Sequence, residues 1–599
     1  MKSFVSAALA AAQLLLAGPV SAGALNRGHG MMEIGPIDTV VETHSKRAEQ
    51  AGLNGWGTFD QLIDHANPKL GTFKQRYWYG AQYWKGPGSP IILVNPGEQA
   101  ADGFNRTYTT AARLPGLFAQ ETGGAVVVME HRYWGESSPY PELTIQNLKY
   151  LTLWNSLKDI SYFANNFVPP FDPSGGSSPK NAPWVFSGGS YSGALAGWSA
   201  ALDPGTIWAY HGTSGVVEAI GDFWQYFVPV QEATPQNCSR DLSATIDSID
   251  LVLKLGTPKQ KHDLKQKFLL TDLTDADFAS ALEYGPWSWQ SSQFYSTTTQ
   301  GFNPYYQFCD YIENVWPNST NPVPGAKGVG VAKALEGYAK WFKEVELPGS
   351  RSSLRRALSE LRNADATVFA LYSLRGWRVC RVAGHLQHGL LSEPERVQPR
   401  LPRLDCRQLF QPPVELAALQ RAVRASQIRP LDSEANHSLR SFEYWQDGAP
   451  VGRPTIVSRL VTADYWRQQC NLWFPRSQGG GGVGIAQGKR ANDVNRWTGG
   501  WSATKTKRLM YANGGLDPWR DSTVSSIFRP GGPLKSTEQL PVRVIAGGMH
   551  CSDLYGPNWG VNPGVQQIVN DEVANIKTWI AEFYELNNKS ERSEPRPRL

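Results

Sequence analysis

The chain reads as an α/β protein, with a mostly parallel sheet, helices on both faces and a large helical insertion. Three observations carry this. Short, wholly apolar, β-branched runs recur in the first third and return near the end. Helix-like stretches separate them. Between about Phe227 and Thr498, helical patterning replaces strand patterning. Apolar runs of that length are strands buried on both faces, and parallel neighbours need helical crossovers.

In chain order, Phe73 to Tyr79 alternates as a strand does. Pro90 to Asn95 is a buried strand stopped by Pro96-Gly97. Ala125 to Glu130 and Trp184 to Ser187 are two more, the second running into Gly188-Gly189. Thr109 to Glu121 and Leu153 to Phe167 are the helices between them. Within the insertion, Ala332 to Val345 and Leu354 to Arg362 read as helical. Arg508 to Asn513 and Val542 to Gly547 are further buried strands, and Val565 to Tyr584 is the last helix. The charged tail after Leu586 is expected to be disordered.

A chain of 599 residues exceeds one ordinary core and suits a core with a big insertion. The expected division is residues 1–22 as signal peptide and 23–55 as an N-terminal arm or propeptide. Residues 56–226 and 499–585 form two parts of one core, 227–498 a helical cap between them, and 586–599 the tail. The signal reading rests on Lys2, the apolar run Phe4 to Ala17, and Val20-Ser21-Ala22, which offers cleavage after Ala22. An apolar 41% predicts a packed protein rather than a disordered one, and the residue pattern holds no later membrane span. A formal charge of +5, without a basic stripe interleaved with aromatics, argues against a nucleic-acid partner.

Export predicts oxidised cysteines. Six are present (Cys238, Cys309, Cys380, Cys406, Cys470 and Cys551), which permits three bridges without fixing the pairing. Sequons at Asn105, Asn237, Asn318, Asn436 and Asn588 make a glycoprotein expected. Cys380, His385, His388 and Cys406 have zinc-type donors, but cysteines of an exported chain go to disulfides, so neither metal nor cofactor is expected. Residues 350–440 are atypical: they contain no Lys and many Arg, as a basic insertion would, or a gene model reading through an intron.

Trp184 to Ala196 carries the chemistry. A strand leads in, Gly188-Gly189-Ser190-Tyr191-Ser192-Gly193 turns sharply, and Ala-Leu-Ala starts a helix. That is a nucleophile elbow, with Ser192 where the usual pattern has its second Gly. Such a serine needs an acid and then a histidine downstream. Asp517, in Asn513-Gly514-Gly515-Leu516-Asp517-Pro518-Trp519, and His550, in Gly547-Gly548-Met549-His550, each follow a predicted strand. Asp553 is a rival acid, better read as a helix-start residue. His550 would take the Ser190 proton, and Asp517 would hold the imidazole. The backbone N–H of Tyr191, together with that of Gly97 or Glu98, would form the oxyanion hole. The fold this predicts is an α/β-hydrolase core with an α-helical cap inserted between nucleophile and acid.

These segments resemble the serine peptidase family of lysosomal Pro-X carboxypeptidase, dipeptidyl peptidase II and fungal acid prolyl endopeptidases, the fungal branch most. The resemblance also rests on Phe59 to Pro68, Thr72 to Trp78, Glu130-His131-Arg132-Tyr133-Trp134-Gly135-Glu136-Ser137, Asp222-Phe223-Trp224, Pro235 to Cys238, Tyr444 to Gly448 and Gly547 to Leu554. It implies triad roles for Ser190, Asp517 and His550, substrate contacts from Tyr444 and Trp445, and cleavage after proline. It also implies acidic working pH and residence outside the cell or in a lysosome-like or vacuolar compartment. The expected partners are peptide or protein substrates containing proline. Carboxypeptidase, dipeptidyl peptidase and endopeptidase modes stay open, as does the oligomeric state. The family's Gly-Gly-Glu-Gly-like loop reads Pro96-Gly97-Glu98-Gln99 here, and its Cys-Asn-Glu-Pro-Phe-Gly-like lead-in is replaced by Leu439 to Glu443. A secreted esterase on the same fold and a catalytically impaired binding scaffold are the alternatives.

Overall fold

The computed structural model describes residues 53–296, 303–348, 445–473 and 484–593. The expectations for the signal peptide, most of the arm, the Leu354–Arg362 helix, the Arg-rich stretch, Cys380, Cys406, Asn436 and Tyr444 lie outside the described residues.

Eight strands form one sheet in the order β1-β2-β4-β3-β5-β6-β7-β8. They are β1 (Asn54–Leu62), β2 (Thr72–Gly80), β3 (Ile91–Val94), β4 (Ala125–Met129), β5 (Trp184–Gly189), β6 (Ala209–Thr213), β7 (Leu509–Gly514) and β8 (Val542–Ile545). Pairings β1–β2 and β2–β4 are antiparallel; the rest are parallel. Two strands escaped the sequence reading. β1 begins inside the stretch assigned to the arm. β6 is wholly buried, but Tyr, His, Gly and Thr hide its apolar character. β8 differs from expectation in burial: it is an edge strand with Val544 51% exposed.

The helices that position the site are α1 (Leu114–Thr122), α2 (Leu153–Asn166), α3 (Tyr191–Leu202), α4 (Gln236–Leu255), α5 (Pro258–Lys267), α6 (Asp275–Leu282), α7 (Pro304–Ile312), α8 (Val331–Trp341), α9 (Ala463–Trp473), α10 (Ala491–Thr498) and α11 (Pro563–Ser593). The last runs beyond Leu586, where a disordered tail was expected. Alternation along the strands sorts side chains onto two faces. Ile91, Leu93, Val127 and Phe186 pack with α2 and α3. Ile92, Val94, Val126, Val128 and Val185 pack with α1 and α11. The sheet is therefore covered on both sides, as its apolar runs demand.

Helices α4 to α10 lie in the chain between β6 and β7. Leu242, Ile246, Phe278, Phe308 and Trp341 of this region belong to the same apolar cluster as the α2–α3 face, so insertion and core share one continuous interior. Cys238 of α4 and Cys309 of α7 form a disulfide. Cys551 is free and buried, so it takes no part in the bridging that an even cysteine count allowed. No helix among the described residues is long and apolar enough to cross a membrane.

Candidate active site

The elbow forms at the end of β5. Ser190 has φ 59° and ψ −123° and caps α3, so its side chain stands at the top of the sheet. A non-glycine residue at positive φ is strained, and the surroundings hold it there. Its N–H donates to Thr213 O of β6 at 2.9 Å, and its C=O accepts from Ala194 N at 3.0 Å. The displaced glycine of the motif has a physical reason. A Cβ on Gly193 would lie 2.7 Å from Thr213 O and 3.0 Å from Gly215 Cα, so the close helix–strand approach falls at 193 and leaves room for Ser192.

Asp517 and His550 follow β7 and β8, as their strands predicted. His550 Nδ1 lies 3.0 and 3.1 Å from the two carboxylate oxygens of Asp517. Ser190, Asp517 and His550 are all buried, at 2, 0 and 4% exposed. Burial alone would lower the His550 pKa, but Asp517 and Cys551 outweigh it and hold the ring well above its ordinary value. His550 Nε2 is buried and has no hydrogen-bond partner among the described residues. The loops are stitched together: Cys551 N donates to Ser214 Oγ at 2.9 Å, one residue beyond the Thr213 that receives Ser190. Asp553 faces away from this pair. It accepts from Thr213 Oγ1 and approaches His211, which removes it as the rival acid.

The loop after β3 comes to the elbow. Ideal Cβ placement on Gly97 would be 3.8 Å from Tyr191 Cδ1. Both expected donors in this loop already have side-chain partners: Gly97 N donates to Asn95 Oδ1 at 2.8 Å, and the Glu98 N–H meets its own carboxyl. The Glu98 carboxyl is pushed up to about 8 by burial, against the opposing pull of the nearby His550.

The Glu130–Ser137 segment supports that loop. Glu130 accepts from Ala101 N at 2.9 Å, from Arg76 Nε and Nη2 at 2.9 and 2.7 Å, and from Ser137 Oγ at 2.6 Å. Gly135 is required here: its φ is +53°, and a Cβ would fall 2.1 Å from Glu130 Oε1. Arg132 is fully buried and pairs with Asp159, Nε to Oδ2 at 2.7 Å. Burial would raise the Asp159 pKa, but Arg132 outweighs it and holds the carboxyl low. His131 is pushed down to about 4 by burial, hence neutral. Its Nδ1 must donate to Arg132 O, 2.9 Å away, which leaves Nε2 to accept from Tyr191 OH at 3.1 Å.

From the insertion, residues 288–293 reach over both downstream loops, a contact that sequence reasoning missed. Gln293 Nε2 donates to His550 O at 2.8 Å, and its Oε1 accepts from Asn558 Nδ2 at 2.7 Å and Ser552 Oγ at 3.1 Å. Gln290 Oε1 accepts from Trp519 Nε1 at 2.8 Å and Tyr226 OH at 2.7 Å. Trp289 Nε1 donates to Leu516 O at 2.7 Å. No residue pattern marks these glutamines, because their partners lie 64 residues or more away along the chain. Trp445 is 2% exposed, stacks on Trp466 and gives its carbonyl to Phe223 N. Among the sequons, Asn105 and Asn318 are exposed and Asn237 partly so.

The chain is similar to known proteins. Residues 61–320 match the family Serine carboxypeptidase S28. The chain is 37% identical over 554 residues to Serine protease vicPb of Bipolaris victoriae, covering 90% of this chain and 91% of that one. It is 30% identical to the Probable extracellular serine carboxypeptidase of Arthroderma benhamiae, over 76% of this chain and 56% of the relative. Among solved structures, an acetylester hydrolase from Corynebacterium glutamicum aligns with a TM-score of 0.31 at 10% identity, over 88% of this chain and 96% of that one. With a relative matched over nine-tenths of both lengths, an elbow serine and a capped α/β-hydrolase sheet, the chain belongs to the serine carboxypeptidase S28 family and is a serine peptidase.

Proposed function

We propose that the chain is a secreted peptidase that hydrolyses peptide bonds on the carboxyl side of proline, through an acyl-enzyme on Ser190. The observation that carries the reading is His550 Nδ1 held against both oxygens of Asp517, on loops stitched to the strand end that also receives Ser190. His550 Nε2 takes the Ser190 hydroxyl proton as Oγ attacks the scissile carbonyl. The imidazolium so formed is stabilised by Asp517, then returns its proton to the leaving amine as the C–N bond breaks. Water repeats the sequence and frees the acid. The oxyanion meets the N–H of Tyr191, at the start of α3, and that of Gly97 or Glu98; the helix dipole of α3 adds to both.

Proline selectivity is supported by the aromatic group beside Asp517. Trp519 packs on Phe223 and Tyr226 at 5.6 and 5.4 Å between ring centroids. A rigid aromatic wall suits a flat apolar ring better than a flexible side chain. Residues 227–498 form the proposed cap over the site. Export follows from cleavage after Ala22, and a relative named extracellular supports it.

A fluorophosphonate probe on purified protein should label wild type and not Ser190→Ala. An unlabelled wild type would return the scaffold reading. On labelled enzyme, a peptide panel with Pro or Ala before the scissile bond should favour Pro; equal rates would remove proline selectivity, and ester-only turnover would return the esterase.

A further inference from the structure

Behind the site, on the α1–α11 side of the sheet, three ligand-type side chains converge in full burial: His211 of β6, Asp553 of the turn after His550, and Glu572 of α11. All three are 0% exposed. His211 Nε2 lies 3.4 Å from Asp553 Oδ2 and 3.5 Å from Glu572 Oε1, and the three donor atoms all fall within 4.8 Å of one another. These separations exceed the usual N–H···O range of about 2.7–3.2 Å. His211 Nε2, Asp553 Oδ2 and both Glu572 oxygens have no hydrogen-bond partner among the described residues. Four buried polar atoms without partners on one point is a heavy cost for a fold to carry, since each forfeits its hydration.

We propose that His211, Asp553 and Glu572 form a buried binding site for one divalent cation of the zinc class. A tetrahedral ion with ligands at about 2.0–2.1 Å separates neighbouring donor atoms by about 3.3–3.4 Å, which the two histidine distances match. One imidazole and two carboxylates are an ordinary donor set for zinc or manganese, and leave one tetrahedral position for a water. The outer groups fit as well. His211 Nδ1 lies 2.9 Å from Ser187 Oγ, which accepts Nδ1–H and turns the Nε2 lone pair to the ion. Thr213 Oγ1 donates to the other oxygen of Asp553. Phe118 closes the site with its ring edge-on to His211. Arg543, whose charge also acts on Glu572, donates Nη2 to Asn575 and makes no hydrogen bond to the cluster among the described residues.

The site would fasten β6, the His550 turn and α11 to one another. It is a structural site, and it does not depend on the catalytic reading.

The test uses the full-length secreted chain, purified without a polyhistidine tag after growth with zinc and manganese salts, and dialysed against metal-free buffer. Elemental analysis should return about one equivalent of metal per chain. Glu572→Gln should lose it, and Ser187→Ala, which keeps all three ligands, should weaken retention by about 10–100-fold. If Glu572→Gln fails to fold, the wild-type content and Ser187→Ala decide. Wild-type protein below about a tenth of an equivalent, with a melting temperature unmoved by added zinc or manganese, overturns the proposal and leaves a metal-free histidine–carboxylate cluster. Full metal retention in both variants overturns it equally, because the ion then sits elsewhere.

Discussion

Asp517 holds two partners at once: Oδ1 accepts from Trp519 N at 2.9 Å as well as facing His550 Nδ1. The first contact fixes the carboxylate before the histidine meets it. Asp517→Asn should therefore keep the loop and its melting temperature while cutting kcat by about 10⁴, because the amide favours the wrong imidazole tautomer. Glu98 gives a pH prediction with a definite sign. Burial raises its folded pKa to about 8, so the folded state binds this proton more tightly than the unfolded chain does. The associated stability is complete below the unfolded carboxyl range and is lost as pH rises through about 8. Activity should fall over the same interval, since an anion then appears where the oxyanion must form. A kcat/KM profile checks this: Glu98→Gln should flatten the alkaline fall and leave activity at pH 5 within a few-fold. At this scale the placement of Ser190, Asp517 and His550 at strand ends was legible in the sequence, because each follows an apolar run. The donation of Gly97 N to the Asn95 side chain was not, since a contact within one loop leaves no mark in the residue pattern.

Elements carry the positioning. The 288–293 segment touches the Asp517 loop through Trp289 and Gln290, and the His550 loop through Gln293. Gln293→Ala removes a donor to His550 O and an acceptor for Asn558 and Ser552. Steady-state kinetics should show kcat falling about 10-fold or more with KM little changed, as expected when geometry rather than binding is lost. The Cys238–Cys309 bridge joins α4 to α7 within the insertion. The double Cys→Ser variant should lose about 2–5 kcal/mol by denaturant unfolding. Strands with continuous apolar runs were readable. β6 was not, because a central strand flanked by two parallel neighbours can bury His and Thr when partners satisfy them, here Ser187 and Asp553. β1 was hidden by its glycines at 55 and 57, which weaken the alternation.

For the whole molecule, the fold class followed from strand–helix alternation, whereas the coupling of insertion to core did not, since it depends on contacts between distant segments. The proposed export makes its own prediction. The mature chain should begin at Gly23, and glycosidase treatment should lower its mass, with Asn105→Gln and Asn318→Gln each removing one step by intact-mass measurement. Both asparagines are exposed, as the transferase requires.

The sheet's central pairing has a consequence in time. β6 and β7 are neighbours in space but about 300 residues apart along the chain, and the serine emerges from the ribosome long before the acid and the histidine. With synthesis at about 5–20 residues per second, tens of seconds separate Ser190 from His550. On the proposed triad, the growing chain carries during that interval a nucleophile with no base. Competence then arrives late, when β7 and β8 dock against the finished half of the sheet, and the order of residues along the chain delays activity until the sheet is complete.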